Sequence, residues 1–336
     1  MKTNEDALIV ALDERWKKYR QELKVCKQDF SEEAVHDLRV ATRRLLAVMD
    51  ILRTLDPHPR VQKVRRVLKN QLDSLDELRD TQVMLVDISE SLANYPDLKS
   101  FDEYLLAREK KLLRKACKEI KDIKLSELKG RIEKSRASLE ENANGSGSPW
   151  TTRLLSVVDQ AYARAMQAFG QIEALQSASI HRFRVAFKKF RYMVEIVNPV
   201  LKDYPEGYLK QMHDYQSRMG DVQDAEVFLG ALAEFAEQME AASMPVPVRE
   251  SFENHRSEMV AKFMEGKEEI HLFWRAAPEQ NFTWEKHHEP VHRSSRNRSG
   301  GGNARIRKRQ PAPADRQGKK ENAKDRAGIE GTESGD

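Results

Sequence analysis

Residues 36–45 read His36-Asp37-Leu38-Arg39-Val40-Ala41-Thr42-Arg43-Arg44-Leu45 and contain neither Pro nor Gly. Its apolar residues recur every three or four positions, which predicts an amphipathic α-helix. At about 100° per residue, His36, Arg39 and Arg43 fall on one side of this helix. Leu38 and Leu45 fall on the opposite side. The sequence therefore predicts a helix with one cationic face and one apolar face.

This stretch recurs later in the chain, in altered form, as His181-Arg182-Phe183-Arg184-Val185-Ala186-Phe187-Lys188-Lys189-Phe190. His181, Arg184 and Lys188 again share one helix face, and Phe183 and Phe190 lie opposite them. Arg191 extends the second basic row, where the first copy has Leu46. A basic helix face alone is usually solvated surface. Because the pattern occurs twice, we instead expect an anion-binding site.

A second pair of related segments follows the two basic helices. They read Leu75-Asp76-Glu77-Leu78-Arg79-Asp80-Thr81-Gln82-Val83 and Met219-Gly220-Asp221-Val222-Gln223-Asp224-Ala225-Glu226-Val227. Both pairs of motifs are separated by nearly the same offset and occur in the same order, which predicts an internal repeat of about four helices. We expect Asp80 and Asp224 to cap helices or to pair with arginines of their own repeat.

The composition favours amphipathic helices, because 39% of the 336 residues are hydrophobic and 33% are charged. The formal net charge of +4 is distributed unevenly. Residues 285–336 hold 13 Lys and Arg against 8 Asp and Glu, and the rest of the chain holds 45 against 46. A nearly neutral body with a cationic helix face has segregated charge, which creates a local field.

The cysteines and the hydropathy bear on the compartment. Cys26 and Cys117 lack the spacing of a metal site or a disulfide framework, which is typical of reduced thiols in a cytosolic protein. No run approaches the roughly 18 apolar residues of a membrane span. We therefore expect a soluble, cytoplasmic protein without a membrane partner.

The predicted fold class is all-α, with an internal repeat of about four helices and a disordered basic C-terminal tail. The first helical repeat covers residues 5–143, a Gly/Ser linker covers 144–149, and the second repeat covers 150–284. Residues 5–284 together would form one domain. Residues 285–336 lack an apolar period and are too polar to fold alone.

Several helix ends are also predicted from local signals. Ser31 is an expected N-cap of the first basic helix, and Ser177 or Ser179 is expected to cap the second. The lysine-rich region that ends the first repeat is expected to break near Ser126 or Gly130.

The doubled motif resembles the CHAD domain, a family named for its histidine-bearing α-helices, over roughly residues 5–275. The resemblance implies that the internal repeat forms two pseudo-symmetric four-helix bundles, which enclose a basic cleft or pore that binds inorganic polyphosphate. Many relatives carry an upstream triphosphate-tunnel catalytic domain; here we expect a stand-alone domain, because few residues precede the first helix. The sequence departs from the family pattern at Leu46, a frequently basic position, and at Asp76, where the second copy has Gly220.

The resemblance also implies the ligand-facing residues, matched by position. On the two basic helices they are His36, Arg39, Arg43, Arg44, His181, Arg184, Lys188, Lys189 and Arg191. On the helices that follow they are Arg66, Lys69, Lys210 and His213. A linear polyanion suits such rows, because it carries charge and acceptor oxygens along its whole length.

The leading hypothesis is therefore a non-catalytic polyphosphate-binding module that needs no cofactor and no metal. Such a module would localise to polyphosphate granules or present the polymer to a polyphosphate- or triphosphate-metabolising enzyme. A metal-dependent polyphosphate or triphosphate hydrolase is an alternative, but phosphoryl transfer normally needs metal-holding carboxylates near the anion. The basic rows supply few: Glu32 lies one turn before His36, whereas the second copy has Ser177 there.

Nucleic-acid binding through the basic tail is the second alternative. The folded part offers little support for it, because its body is nearly neutral and its tryptophans are scattered. We expect these tryptophans to lie in the core or at interfaces rather than to form a base-stacking platform. They are Trp16, Trp150, Trp274 and Trp284.

Overall fold

The computed structural model describes residues 6–143, 150–238 and 246–287. These residues form helices and connecting segments without any β-strand, so the predicted all-α class is confirmed. The predicted linker and residues 288–336 of the predicted tail lie outside the described residues. Among the helices that are described, none is long and apolar enough to cross a membrane.

The helices follow one another along the two repeats. In the first repeat they are α1 Asp6–Gln28, α2 Glu32–Leu55, α3 Pro59–Ser91, α4 Lys99–Lys121 and α5 Leu125–Ala143. In the second they are α6 Trp150–Phe169, α7 Ser177–Val197, α8 Tyr208–Gln238 and α9 Val246–Glu265. Short 3-10 helices occur at Pro96–Leu98, Asn198–Val200, Lys267–Leu272 and Thr283–His287. The two basic stretches are thus α2 and α7, followed in each repeat by the long helices α3 and α8.

The N-terminus of α2 has the predicted cap. The Ser31 hydroxyl oxygen accepts a hydrogen bond from the Ala34 amide at 3.3 Å, which satisfies one of the free N–H groups of the first turn. The prediction for α7 was wrong, because Ser177 is already helical and neither serine caps the helix. Ser179 instead accepts from the Glu173 amide at 3.0 Å and so stabilises the preceding loop.

The break in the lysine-rich region falls near Ser126, the first of its two predicted positions, and not near Gly130. It lies at residues 122–124, between α4 and α5, and Gly130 lies inside α5. The Lys27 ammonium, from α1, donates to the carbonyl oxygens of Lys121 and Ile123 at 3.1 Å each. Carbonyl groups at a helix C-terminus lack partners within the helix, and a lysine there is stabilising. This end of α4 therefore depends on a side chain from a distant part of the chain.

The apolar faces pack as the helical periodicity predicts. Leu38, Leu45 and Leu52 are fully buried on α2, and buried side chains from both repeats form one continuous core. The four tryptophans are buried, as expected. A second, smaller apolar cluster around Phe101 and Phe235 joins α3 and α4 to α8 and α9.

Polar residues separate the two apolar clusters along α3 and α8, and we call this part of the two helices the central level. Leu78 and Val222 belong to the larger core, whereas Met84 and Phe228 belong to the smaller cluster. Asp80 and Asp224 lie between these positions on their helices and are partly buried. The candidate functional site lies at this level, where α3 packs against α2 and α8 packs against α7.

Candidate anion-binding site

Four cations from the two repeats act on one another where α2 and α7 pack together. We call Arg39, Arg43, Arg184 and Lys188 the central cations. Repulsion from Arg43 contributes to lowering the pKa values of both Arg184 and Lys188. Because Coulomb interactions weaken with distance, this mutual effect indicates that the two basic rows approach each other. The structure thus brings together residues that are far apart in the sequence.

In the first repeat, the Asp76 carboxylate on α3 holds both arginines of α2. Asp76 Oδ1 accepts from Arg39 Nη2 at 2.6 Å and from Arg43 Nη2 at 2.9 Å. Arg39 is only 6% exposed, and burial lowers its pKa. Repulsion from Arg43 adds to this lowering, and attraction to Asp76 opposes it. The cations of the first repeat are therefore already paired with a carboxylate.

In the second repeat, Gly220 stands at the position equivalent to Asp76. The Arg184 guanidinium lies against it, and Arg184 Nε is buried without a hydrogen-bond partner. Burial lowers the pKa of Arg184, and attraction to Asp224 opposes that effect without a direct ion pair between the two residues. Within the described chain, neither Arg184 nor Lys188 has a hydrogen-bonded carboxylate. These two cations are held without a direct counter-ion.

Lys188 shows the strongest electrostatic consequence of this arrangement. Burial, followed by repulsion from Arg43 and Arg184, lowers the pKa of its ammonium to about 7. Attraction to Asp76 opposes the shift. A lysine in such surroundings is poorly stabilised as a cation until an anion reaches it.

Asp80 and Asp224 interact electrostatically with the central arginines without forming direct ion pairs with them. Burial raises the pKa values of both carboxyl groups. Arg39 opposes the shift at Asp80, and Arg184 opposes it at Asp224, so each aspartate interacts with an arginine of its own repeat. The carboxylate that forms direct ion pairs with the central cations is Asp76. The sequence marks Asp76 only as a departure from the family pattern and does not predict these ion pairs.

Three further predicted ligand residues form ion pairs with the protein itself. Arg44 Nε lies 3.6 Å from Glu195 Oε2, and Lys189 Nζ lies 3.1 Å from Asp50 Oδ2. Arg191 is buried, pairs with Glu195 and donates to the Gln216 side chain at 2.9 Å. The structure therefore places Arg44, Lys189 and Arg191 in contacts that hold helices together.

The two motif histidines are exposed near the beginning of their helices. His181 Nδ1 forms a hydrogen bond with Gln223 Oε1, and both residues line a cavity of about 380 Å³. The first repeat has Arg79 in place of Gln223, and this arginine donates to Glu32 Oε1 at 2.5 Å. The surroundings of His36 and His181 therefore differ between the repeats.

The remaining predicted ligand residues lie on α3 and α8 and are exposed: Arg66, Lys69, Lys210 and His213. Lys210 Nζ lies 2.9 Å from Asp214 Oδ2, and His213 Nδ1 lies 3.6 Å from Asp214 Oδ1. The Asp214 hydrogen bond raises the pKa of Lys210. No contact between these four residues and the central cations occurs in the described structure.

One cavity of the protein is separate from the central cations, and the described residues contain no group of metal ligands. A cavity of about 710 Å³ lies between α3, α4 and α5, lined by residues that include Gln71, Glu119 and Arg131, away from the central cations. Within the described ranges, no group of three or more His, Cys, Asp or Glu side chains is arranged to hold a metal ion.

Comparison with known families decides how the doubled basic helix is classified. A family model described as the CHAD domain matches residues 10–233, which contain α2, α3, α7 and most of α8. The chain belongs to the CHAD domain family. The resemblance inferred from the two histidine-bearing motifs is thereby confirmed.

Solved structures resemble this CHAD domain in fold. The CHAD domain from the plant Ricinus communis is 17% identical, with a TM-score of 0.59, over 81% of this chain and 90% of that chain. PptA from Streptomyces chartreusis is 16% identical, with a TM-score of 0.53, over 79% of this chain and 98% of that chain. At these identities the likeness shows the fold alone. The comparison with curated proteins gives no match.

Proposed function

We propose that this CHAD domain binds inorganic polyphosphate at its central cations and does not itself catalyse a reaction. The observation that carries the proposal is the pair Arg184 and Lys188, two partly buried cations without a direct counter-ion. Burying an unpaired charge costs free energy. A bound polyanion would supply the missing negative charge, and its oxygens would accept hydrogen bonds from both repeats.

The chemistry of the site suits a polymer better than a single small anion. Arginine offers forked donors to phosphate oxygens, and lysine adds a compact charge. Arg66 precedes Asp76 by ten residues on α3, and Lys210 precedes Gly220 by ten on α8. At about 1.5 Å per residue, these exposed bases lie roughly 15 Å along their helices from the central level. A long chain could contact the central cations and these outer bases together.

This proposal includes a cellular setting. Two free cysteines among the described residues are consistent with the reducing cytoplasm. There, the domain would localise to polyphosphate granules or present the polymer to a polyphosphate- or triphosphate-metabolising enzyme. It would need no cofactor for either role.

Binding by the full chain tests the proposal. We expect long-chain polyphosphate to bind more tightly than DNA or RNA with the same number of phosphates, and truncation after Glu289 to preserve most of the affinity. Replacing Arg184 with Gln and Lys188 with Met should weaken binding far more than replacing the exposed pair Lys110 and Lys111 with Met. Equal losses would indicate diffuse electrostatic attraction. Binding that remains only in the isolated tail would favour the nucleic-acid alternative.

The salt dependence of binding tests the number of contacts. Each phosphate contact in a single strand contributes roughly −0.7 to the slope of log affinity against log salt concentration. Simultaneous use of the four central cations would therefore give a slope of roughly −3. A slope near −1 would contradict a site that uses both repeats.

A metal-dependent polyphosphate or triphosphate hydrolase is the second candidate. Asp76, Asp80 and Asp224 lie among the charges that act on the central cations. A phosphoryl-transfer site normally holds its metal ion with carboxylates, whereas the described residues contain no group of three or more His, Cys, Asp or Glu side chains arranged for this. The measurement is phosphate release from polyphosphate in the presence of Mg²⁺. Our proposal expects release no faster than without protein. Release that Asp224→Asn abolishes would favour the hydrolase.

A further inference from the structure

The two halves of the site differ at one pair of equivalent positions. Asp76 on α3 forms ion pairs with Arg39 and Arg43, whereas α8 has Gly220 at the corresponding position. The second repeat thus has the same cationic face without the carboxylate. The cations of the first repeat are thus paired with Asp76. We call Arg184 and Lys188, which have no direct counter-ion, the open half of the site.

The geometry of Asp76 allows it to be displaced. Its side chain is 43% exposed, whereas the Arg39 side chain is only 8% exposed. Arg39 is thus enclosed by the surrounding protein, and the carboxylate lies on the solvent side of the pair. A phosphate oxygen that lies between Arg39 and Arg43 would accept from the N–H donors that Asp76 Oδ1 now accepts from, so the two anions compete for this position.

Gly220 provides the opposite situation for Arg184. A Cβ atom at this position would lie 3.8 Å from Arg184 Nη2 and 3.9 Å from Arg184 Nε, which is ordinary contact distance. An aspartate would therefore fit here and would place its carboxylate beside the guanidinium. The absence of a side chain at Gly220 leaves this guanidinium without the partner that Asp76 gives to Arg39.

We propose that Asp76 is a built-in competitor for the polyanion, so that binding begins at Arg184 and Lys188 and reaches Arg39 and Arg43 only when phosphate displaces the Asp76 carboxylate. This inference rests on the proposed polyphosphate binding and adds a binding order and a length preference to it. Short phosphates engage the open half alone. Longer chains gain the contacts that offset the displacement of Asp76.

The test removes the carboxylate at position 76 and introduces one at position 220, in the full chain. The variants are Asp76→Ala, Gly220→Asp and the double variant, each measured with tripolyphosphate and with long-chain polyphosphate. Glu90→Ala is the control for Asp76→Ala, because it removes the same charge from an exposed position of α3, roughly 21 Å along the helix. Gly230→Asp is the control for Gly220→Asp, because Gly230 lies on α8 with nothing near its Cβ position.

We expect Asp76→Ala to raise the affinity for tripolyphosphate about fivefold to tenfold, since a competing charge pair is removed. Gly220→Asp should lower it by a similar factor, and the double variant should return close to the wild type. A merely structural role for Asp76 would instead lower the affinity when the carboxylate is removed. The two controls should change the affinity by less than about twofold.

Three outcomes would overturn the inference while leaving polyphosphate binding in place. They are equal effects of Gly220→Asp and Gly230→Asp, a loss of affinity in folded Asp76→Ala, and a double variant as weak as Gly220→Asp. Circular dichroism checks that Asp76→Ala folds; if it does not, the comparison of Gly220→Asp with Gly230→Asp decides alone. A wild-type protein that binds no polyphosphate would refute the proposed function, and this inference with it.

Discussion

Asp50 on α2 and Lys189 on α7 form an ion pair that joins the two repeats, with Lys189 Nζ 3.1 Å from Asp50 Oδ2. Arg44 and Glu195 form the reciprocal pair at 3.6 Å. Asp50 corresponds to Glu195, and Arg44 to Lys189, at the same offset that relates His36 to His181. A pseudo-twofold relationship between α2 and α7 therefore creates both pairs. Part of the basic motif thus joins the repeats, whereas Arg184 Nε is buried without a hydrogen-bond partner.

Replacing Asp50 with Ala should destabilise the fold. Asp50 is buried and also accepts from Arg65 Nε at 2.6 Å, so its removal leaves two cations without their carboxylate. We expect the free energy of unfolding to fall by roughly 3 kcal/mol, measured by urea denaturation. Asp13→Ala, which breaks an exposed pair with Arg136, should cost no more than about 1 kcal/mol. Similar losses in both variants would contradict a special role for the inter-repeat pair.

Arg191 and Lys188 should separate stability from binding. Arg191 is buried and paired with Glu195, so Arg191→Met should lower the free energy of unfolding by roughly 2 kcal/mol and change polyphosphate affinity little. Lys188→Met should weaken binding about tenfold at pH 6 without loss of stability. The measurements are denaturant unfolding and a binding titration. A larger affinity loss in Arg191→Met than in Lys188→Met would show that Arg191 contacts the ligand.

Polyphosphate affinity should depend on pH through Lys188. Its pKa is lowered to about 7 by burial, then by repulsion from Arg43, Arg184 and Arg39, with attraction to Asp76 on α3 opposing the shift. A bound polyanion favours the ammonium form, so the pKa is higher in the complex. Affinity should therefore be greatest below about pH 7 and fall above it, by up to about tenfold per pH unit. Titrations at several pH values test this. An unchanged pH profile in Lys188→Met would exclude Lys188 as the cause.

Lys188 should also lower the free energy of unfolding of the protein in the absence of ligand. The folded-state pKa of about 7 lies below the ordinary value of 10.5, so the unfolded chain binds more protons between these values. The destabilising contribution of Lys188 is therefore present in full below pH 7 and disappears as pH rises towards 10.5. We expect Lys188→Met to be more stable than the wild type at pH 7 by roughly 1 to 3 kcal/mol.

Denaturant unfolding at pH 7 and at about pH 10 measures this difference. Lys110→Met serves as the exposed control and should change stability little at either pH. A stability gain in Lys188→Met that does not shrink at the higher pH would indicate improved apolar packing rather than relief of a buried charge.

The helices and the internal repeat could be predicted from residue spacing alone. The apolar period places Leu38, Leu45 and Leu52 in the core, and the local signal at Ser31 produces the cap of α2. These outcomes depend on interactions within a few turns of helix, where residue spacing specifies which side chains share a face. For the same reason, the two copies of the motif were sufficient to identify the family.

Which cations are paired with a carboxylate could not be predicted from the sequence, because it depends on how the helices pack. Arg43 and Arg44 are neighbours in the sequence, yet one lies among the central cations and the other pairs with Glu195 across the repeat interface. Likewise, Asp76 pairs with Arg39 only because α3 packs against α2. Whether a charge is paired depends on burial and on partners from distant segments. The spacing of residues along one helix reveals neither the burial of a charge nor its partners from other helices.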